Sequence, residues 1–516
     1  MQAAISKTNI KVFQKAYRSS PTNKLSRNAL TRSSMLDVAM DWDAFRRVDH
    51  TYSHAIPNEM KKVTNQKSSG RCWGFAGLNL MRLTLCEKYK LEKFEFSQNY
   101  FMFCDKLEKS NYFLENIIST LDEPYDSRLM MWLLSAPIND GGQWDMFVNL
   151  MRFAVCDKYN LKNFEFSQNY FMFCDKLEKS NYFLENILAT LDESFDSRLM
   201  MWLLSAPIND GGQWDMFVNL MEKYGVMPQS AMPESFQSSQ SRMMNRFVTR
   251  KLREYASQLR EMYSNGAKLT ELRKEKENML AVVYNMLCIC LGTPPESFDW
   301  QFRDKKKKFK RFNNLTAMDF YNKHVDIALN DKVCLIHCPM SNKEMNEHYT
   351  VSYLGNVTGG GDISYGNVEI DVMKRAAVKS IKAGEAVWFG CDVGKMFHRD
   401  LGVMDMNLYD FELLFNTKFK MDKQAKLEYG DSVMTHAMLL TAVNMKGGQS
   451  TKWRIENSWG EKGGDKGYML MTDEWFDEYT YEVVIDKKYL GKKVRDIFDR
   501  EPVVLSPWDP MGSLAR

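Results

Sequence analysis

The stretch Asn65-Gln66-Lys67-Ser68-Ser69-Gly70-Arg71-Cys72-Trp73-Gly74-Phe75 is a polar, glycine-containing loop. It runs directly into an apolar pattern of helical spacing, Trp73, Phe75, Leu78, Met81 and Leu85. The switch places Cys72 at a helix N-terminus, where free backbone N–H groups and the macrodipole favour an anion. A thiol there ionises more readily than a free one, and the thiolate is the nucleophilic form. Gln66 lies on the loop that must turn into this helix, so its side-chain amide is placed to donate beside the Cys72 backbone N–H. Two donors aimed at one point make an oxyanion hole. Most cysteines are only small buried apolar groups, so this reading needs partners elsewhere in the chain.

A cysteine nucleophile requires a base, and the base requires an orienting group. Of seven histidines, His436 sits in the strand-like run Met434–Val443, ahead of Lys446-Gly-Gly-Gln-Ser450 and a second strand-like run, Thr451–Gly460. A hairpin centred between Gly447 and Gly448 opposes His436 to Trp459 and sets it two positions from Asn457. Such diagonal neighbours are about 7–8 Å apart at the backbone, within side-chain reach. Trp459 would then shield a His436–Asn457 hydrogen bond from water.

The 516 residues are 44% hydrophobic and 26% charged, with a net charge of +3. This is the profile of a globular chain, with no global charge bias toward nucleic acid or membrane. Ten cysteines in this length do not form a disulfide scaffold, and no apolar run reaches the roughly 18 residues of a membrane span. The expected location is cytoplasmic. Residues 1–60 read as an arm with a weakly helical start, and 61–220 as a helical lobe carrying the cysteine. Residues 221–330 read as a helical insertion, Ser241–Ser264 and Leu269–Leu291, with a basic hairpin. A β-rich lobe with His436 and Asn457 spans 331–500, and a C-terminal arm 501–516. Helix first and strand last gives an α+β fold of two packed lobes. Within the helical lobe, 81–150 and 151–220 are near-identical, differing at such sites as Leu83/Phe153, Lys90/Asn160 and Pro124/Ser194. Two copies are too few for a solenoid. The repeat reads as two alternative exons joined in one chain, or as a recent duplication.

Ser-Gly-Arg-Cys-Trp at 69–73 is close to the Cys-Gly-Ser/Ala-Cys-Trp/Tyr signature of papain-like nucleophiles. Ser69 replaces the first signature cysteine, which fits a reducing compartment. The chain resembles the bleomycin hydrolase branch of the papain superfamily at Val63–Trp73, Asn209–Met216, Cys288–Glu296 and Gly384–Gly394. The likeness continues at Leu408–Asp410, Thr435–Met438, Lys452–Gly460 and Trp508–Ala515. The resemblance implies a cysteine aminopeptidase acting on peptides with a free N-terminus and able to hydrolyse the bleomycin amide. It further implies a homohexameric ring, with Cys72 as nucleophile, His436 as base and acid, Asn457 as orienter and Gln66 in the oxyanion hole. Gly211 and Gly212 would pair with the substrate backbone, in preference to Gly141 and Gly142 of the first copy. Ala515, exposed as the terminus if Arg516 is trimmed, would meet the substrate's α-ammonium. The alternative is an impaired ring-forming scaffold whose Lys305–Lys308 tips attract nucleic acid. Nothing calls for a cofactor or metal. Cys334 and Cys338 would face one side of a strand and His337 the other, and Gly359-Gly-Gly361 follows no phosphate-loop pattern.

Overall fold

The computed structural model describes residues 7–56, 59, 63–65, 72–73, 75–76, 79, 168–191, 193, 197–205, 207–303, 307–325 and 328–515. Gln66, the first repeat copy with Gly141 and Gly142, Lys305, Lys306 and Arg516 lie outside these residues.

The β lobe is built outward from one strand. His436–Lys446 is a nearly unbroken apolar run, and its residues Ala437 to Leu440, Ala442 and Val443 are all fully buried. A strand with no polar face must be covered on both sides. It pairs antiparallel with Val387–Cys391 on one side and Gln449–Glu456 on the other, and its far end also receives His54–Ala55. Beyond Val387–Cys391 the sheet continues through Thr480–Asp486 and Lys332–Ile336. Beyond Gln449–Glu456 it continues through Tyr468–Thr472, for twelve strands among the described residues. The tight turn at Gly447-Gly448 has φ of +59° and +85°. Two consecutive positive values demand residues without a Cβ, and such a two-residue loop matches the twist of the strands it joins. Pairing slips by one residue after Leu440 and slips back after Asn444. Leu439 therefore still faces Glu456, and the register at the His436 end is the one a simple hairpin gives.

The helical lobe is built on Gln168–Ala189, which packs against Arg242–Ser264 and Leu269–Leu291. All three lie after the first repeat copy, the first of them within the second copy. The spacing of Leu252, Tyr255 and Leu259 turns one stripe of Arg242–Ser264 inward, and all three are buried. Trp73, Phe75, Ala76, Phe183, Trp214 and Trp388 belong to one continuous core, so the helical and β lobes share their interior.

The Ser-, Asn- and Arg-rich part of the N-terminal arm is ordered, with Pro21–Leu30 helical. The Ser20 side chain accepts from the Asn23 N–H at 3.2 Å and Pro21 occupies the first turn, a pairing of cap and first-turn proline that starts a helix without an apolar face. The arm docks through Ala39 against Leu408, Tyr409 and Leu414. The region after residue 331 also carries helices, among them Ile370–Lys382 and Asp473–Tyr479. Phe298–Arg303 and Phe309–Leu315 form the basic hairpin, in which Asp299 takes Arg311 at 2.7 Å. Among the described residues no helix is long and apolar enough to cross a membrane.

Leu440→Ala removes a fully buried side chain from the central strand. It is expected to lower unfolding free energy by about 2–5 kcal/mol, read from the urea midpoint at unchanged slope.

Candidate active site

Residues far apart in sequence converge where the helical lobe meets the central strand. Cys72, Trp73, Phe75, Ala76 and Asn79 are helical. This helix is tied to the end of the hairpin by the segment before it. Asn65 pairs with Trp459 in an antiparallel bridge, the Gly460 N–H donates to the Thr64 carbonyl at 2.9 Å, and Asn79 Nδ2 donates to Thr64 Oγ1 at 3.2 Å. Trp388 Nε1 donates to the Trp73 carbonyl at 3.1 Å, fixing the helix on the neighbouring strand. These four contacts bring Cys72 to the first residues of the central strand, where the Ala437 N–H reaches its Sγ at 3.2 Å. Cys72 is fully buried.

His436 Nε2 lies 2.9 Å from Asn457 Oδ1. That amide oxygen also accepts the Ser458 N–H at 2.7 Å, which fixes which end of the amide faces the imidazole. With the amide oxygen as acceptor, Nε2 carries the hydrogen and Nδ1 is left to act as base. The Trp459 ring covers His436 with centroids 4.9 Å apart, and the Arg399 guanidinium lies 4.6 Å above the Trp459 ring. Burial pushes the imidazole down to about 4; the Asn457 bond opposes this and the Arg399 charge adds to it. A buried imidazolium therefore requires a negative charge beside it, which a Cys72 thiolate would supply.

The turn 208–213 lies against Trp73, the residue after Cys72. Lys176 Nζ donates to the Ile208 carbonyl at 2.9 Å and pairs with Asp210, while Lys179 donates to the carbonyls of Asn209 and, at 3.3 Å, Gly211. Asp210 also takes Asn245 Nδ2 at 2.8 Å. Two buried lysines thus clamp a backbone that has no regular structure of its own. Trp73 Nε1 donates to the Asp210 carbonyl at 3.0 Å. A Cβ on Gly212 would fall 2.1 Å from the Trp73 indole, so only glycine fits.

The C-terminal segment enters this same place. The Gly212 N–H donates to the Leu514 carbonyl at 3.0 Å, and Asn209 Nδ2 donates to the Ala515 carbonyl at 2.6 Å. Gln213 Nε2 and the Tyr365 hydroxyl both donate to the Met511 carbonyl, at 3.1 and 3.2 Å. The Ser513 hydroxyl donates to the Met434 carbonyl at 2.9 Å, two residues before His436.

The structure thus brings Cys72, His436, Asn457, Gly211, Gly212 and Ala515 to one site, and Gln66 lies outside the described residues. Asn209, Ala437 and Lys179 are contributors that sequence reading did not single out. Asn209 stands in the quoted Asn-Asp-Gly-Gly run and was legible as a side-chain donor beside the glycines. Ala437 acts through its backbone N–H, for which no residue type is a signal.

Gly212→Ala is expected to cut kcat/KM at least about tenfold, since the methyl must displace the Trp73 ring beneath the cleft. Circular dichroism that stays unchanged alongside full activity would contradict this. In Cys72→Ser, which carries no thiolate, His436 is expected to titrate near 4 rather than 6.5, observed by NMR of the imidazole protons.

The peptidase C1-like family model matches residues 4–153 and 148–512. The chain is 42% identical to bleomycin hydrolase of Gallus gallus, covering 98% of this chain and 97% of that one. It is 39% identical to aminopeptidase C of Listeria monocytogenes, covering 100% of both. The crystal structure of PepW from Lactobacillus rhamnosis superposes with a TM-score of 0.83 at 37% identity, over 99% of each chain. Its α+β architecture is papain-like, and the chain belongs to the peptidase C1-like family of papain-type cysteine peptidases.

Proposed function

We propose that the protein is a cysteine aminopeptidase that removes residues from the free N-terminus of peptides, and that it hydrolyses amides of the bleomycin kind. Cys72 is the nucleophile, His436 the base and acid, and Asn457 the group that orients the imidazole. The Cys72 thiolate attacks the carbonyl of the first peptide bond while His436 holds the proton. The tetrahedral oxyanion is met by the Cys72 N–H and by the Gln66 amide. Collapse expels the amine, which takes its proton from His436, and leaves a thioester on Cys72. Water then loses a proton to His436 and attacks the thioester, releasing the free amino acid and restoring the thiol. The base stands on the leaving side and delivers the proton only while Nε2 remains tethered to Asn457.

The observation that carries the exopeptidase reading is the Gly212 N–H bonded to the Leu514 carbonyl. It supports a cleft whose acyl side is filled by the protein's own tail. The tail takes the Gly212 N–H that the resemblance gives to the substrate backbone, and the carboxylate at Ala515, freed by trimming of Arg516, receives the α-ammonium. A fixed anion there selects a free amine and excludes longer chains on that side. In this reading the enzyme works in the cytoplasm as a homohexamer, without a metal or cofactor.

The test uses amino-acid arylamides, free and N-acetylated, with Cys72→Ser as control. Cleavage of the free amine alone, abolished in Cys72→Ser, is expected. Equal cleavage of both would keep the thiol peptidase and remove the role of the tail. No cleavage of either by folded protein would overturn the reading.

A further inference from the structure

The tail fixes the acyl side of the cleft, and it leaves the leaving side undescribed. Because His436 must protonate the departing amine, the peptide beyond the scissile bond lies on the His436 side. What covers His436 is the Trp459 ring, and what lies over that ring is the Arg399 guanidinium. Arg399 comes from a turn far from the catalytic elements in sequence. Its backbone is fixed: its carbonyl accepts from the Gly402 N–H at 3.3 Å and would stand 2.8 Å from a Cβ on Gly463. Its side chain, by contrast, is exposed, and among the described residues no carboxylate is close enough to pair with it. Asp400, Glu461, Lys462 and Lys466 are the exposed charged residues on the two adjoining turns, and neither carboxylate among them forms an ion pair with it. An arginine whose guanidinium sits over an indole can still present its N–H donors to a carboxylate.

We propose that Arg399 is a specificity residue for the leaving side of the scissile bond, selecting peptides whose second residue is acidic. This rests on the cysteine aminopeptidase reading above. The ion pair forms at a solvent-exposed rim, so its effect is modest and falls with added salt.

The experiment compares kcat/KM on tripeptide amides with Leu first and Glu, Gln or Lys second, alongside leucine arylamide, whose leaving group has no side chain. Amidation removes the terminal carboxylate, so only the second side chain differs in charge. The unaltered protein is expected to favour Glu over Lys about 3- to 10-fold at low salt. Arg399→Gln is expected to abolish the preference, read as the Glu-to-Lys ratio of kcat/KM, in which any change in His436 basicity is common to both peptides and cancels. Arg399→Lys is expected to keep part of the preference, and Arg399→Glu to reverse it toward Lys. A preference that survives in Arg399→Gln would assign selection to another group and overturn the proposal, as would its absence in the unaltered protein. Loss of arylamide cleavage in the unaltered protein would instead remove the aminopeptidase reading, and this one with it.

Discussion

The hydrogen bond from His436 Nε2 to Asn457 Oδ1 depends on a hairpin whose arms must meet in one register. A one-residue slip at the histidine end would turn either the imidazole or the amide to the wrong face of the sheet. The strand pair nevertheless contains two slips, which cancel before His436 is reached. The histidine end is further pinned from outside: Thr435 Oγ1 and Ser432 Oγ both donate to Asp392, at 3.0 and 2.8 Å. On the opposite arm, the bridge between Asn65 and Trp459 binds the segment that leads to Cys72. Fixing that register therefore fixes Cys72 as well.

Around this bond the protein is largely buried, with Trp73, Trp388 and Trp453 fully buried nearby in sequence or sheet. The low polarity of such surroundings strengthens each hydrogen bond that is made and penalises each charge that is not paired. The depressed basicity of His436 is the visible result. The same environment ties protonation of the imidazole to ionisation of the thiol, because either charge alone is costly and the two together offset one another.

Much of this site could be read in the chain because it is written in short-range patterns. The glycine pair at 447–448 and the strand-like runs on either side of it imply the hairpin, and the hairpin implies the His436–Asn457 approach. The helices Arg242–Ser264 and Leu269–Leu291 follow from apolar stripes within a residue of their ends. The turn 208–213 was legible only as a glycine motif, because its shape is imposed by Lys176 and Lys179 from a helix some 30 residues earlier. Nothing in the spacing of a lysine says that it will be buried against a carbonyl. The order in the N-terminal arm went unread for a different reason. Its stability comes from caps and from docking at Ala39, and neither produces a hydrophobic period.

The seating of Leu514 and Ala515 against Gly212 and Asn209 carries a consequence for how the cleft is shared. A ligand that is part of the same chain has an effective concentration set by its tether, of order millimolar for short flexible links. It needs no high intrinsic affinity, and the few hydrogen bonds seen here suffice to keep it in place. An incoming peptide competes poorly for the subsites the tail fills and freely for those it leaves open. In the proposed aminopeptidase, tail length thus works as a ruler. Each residue withdrawn from the end lengthens the stretch of substrate admitted on the acyl side, so a single chain could be converted stepwise from one-residue removal to cleavage further along a peptide without any change to the catalytic groups.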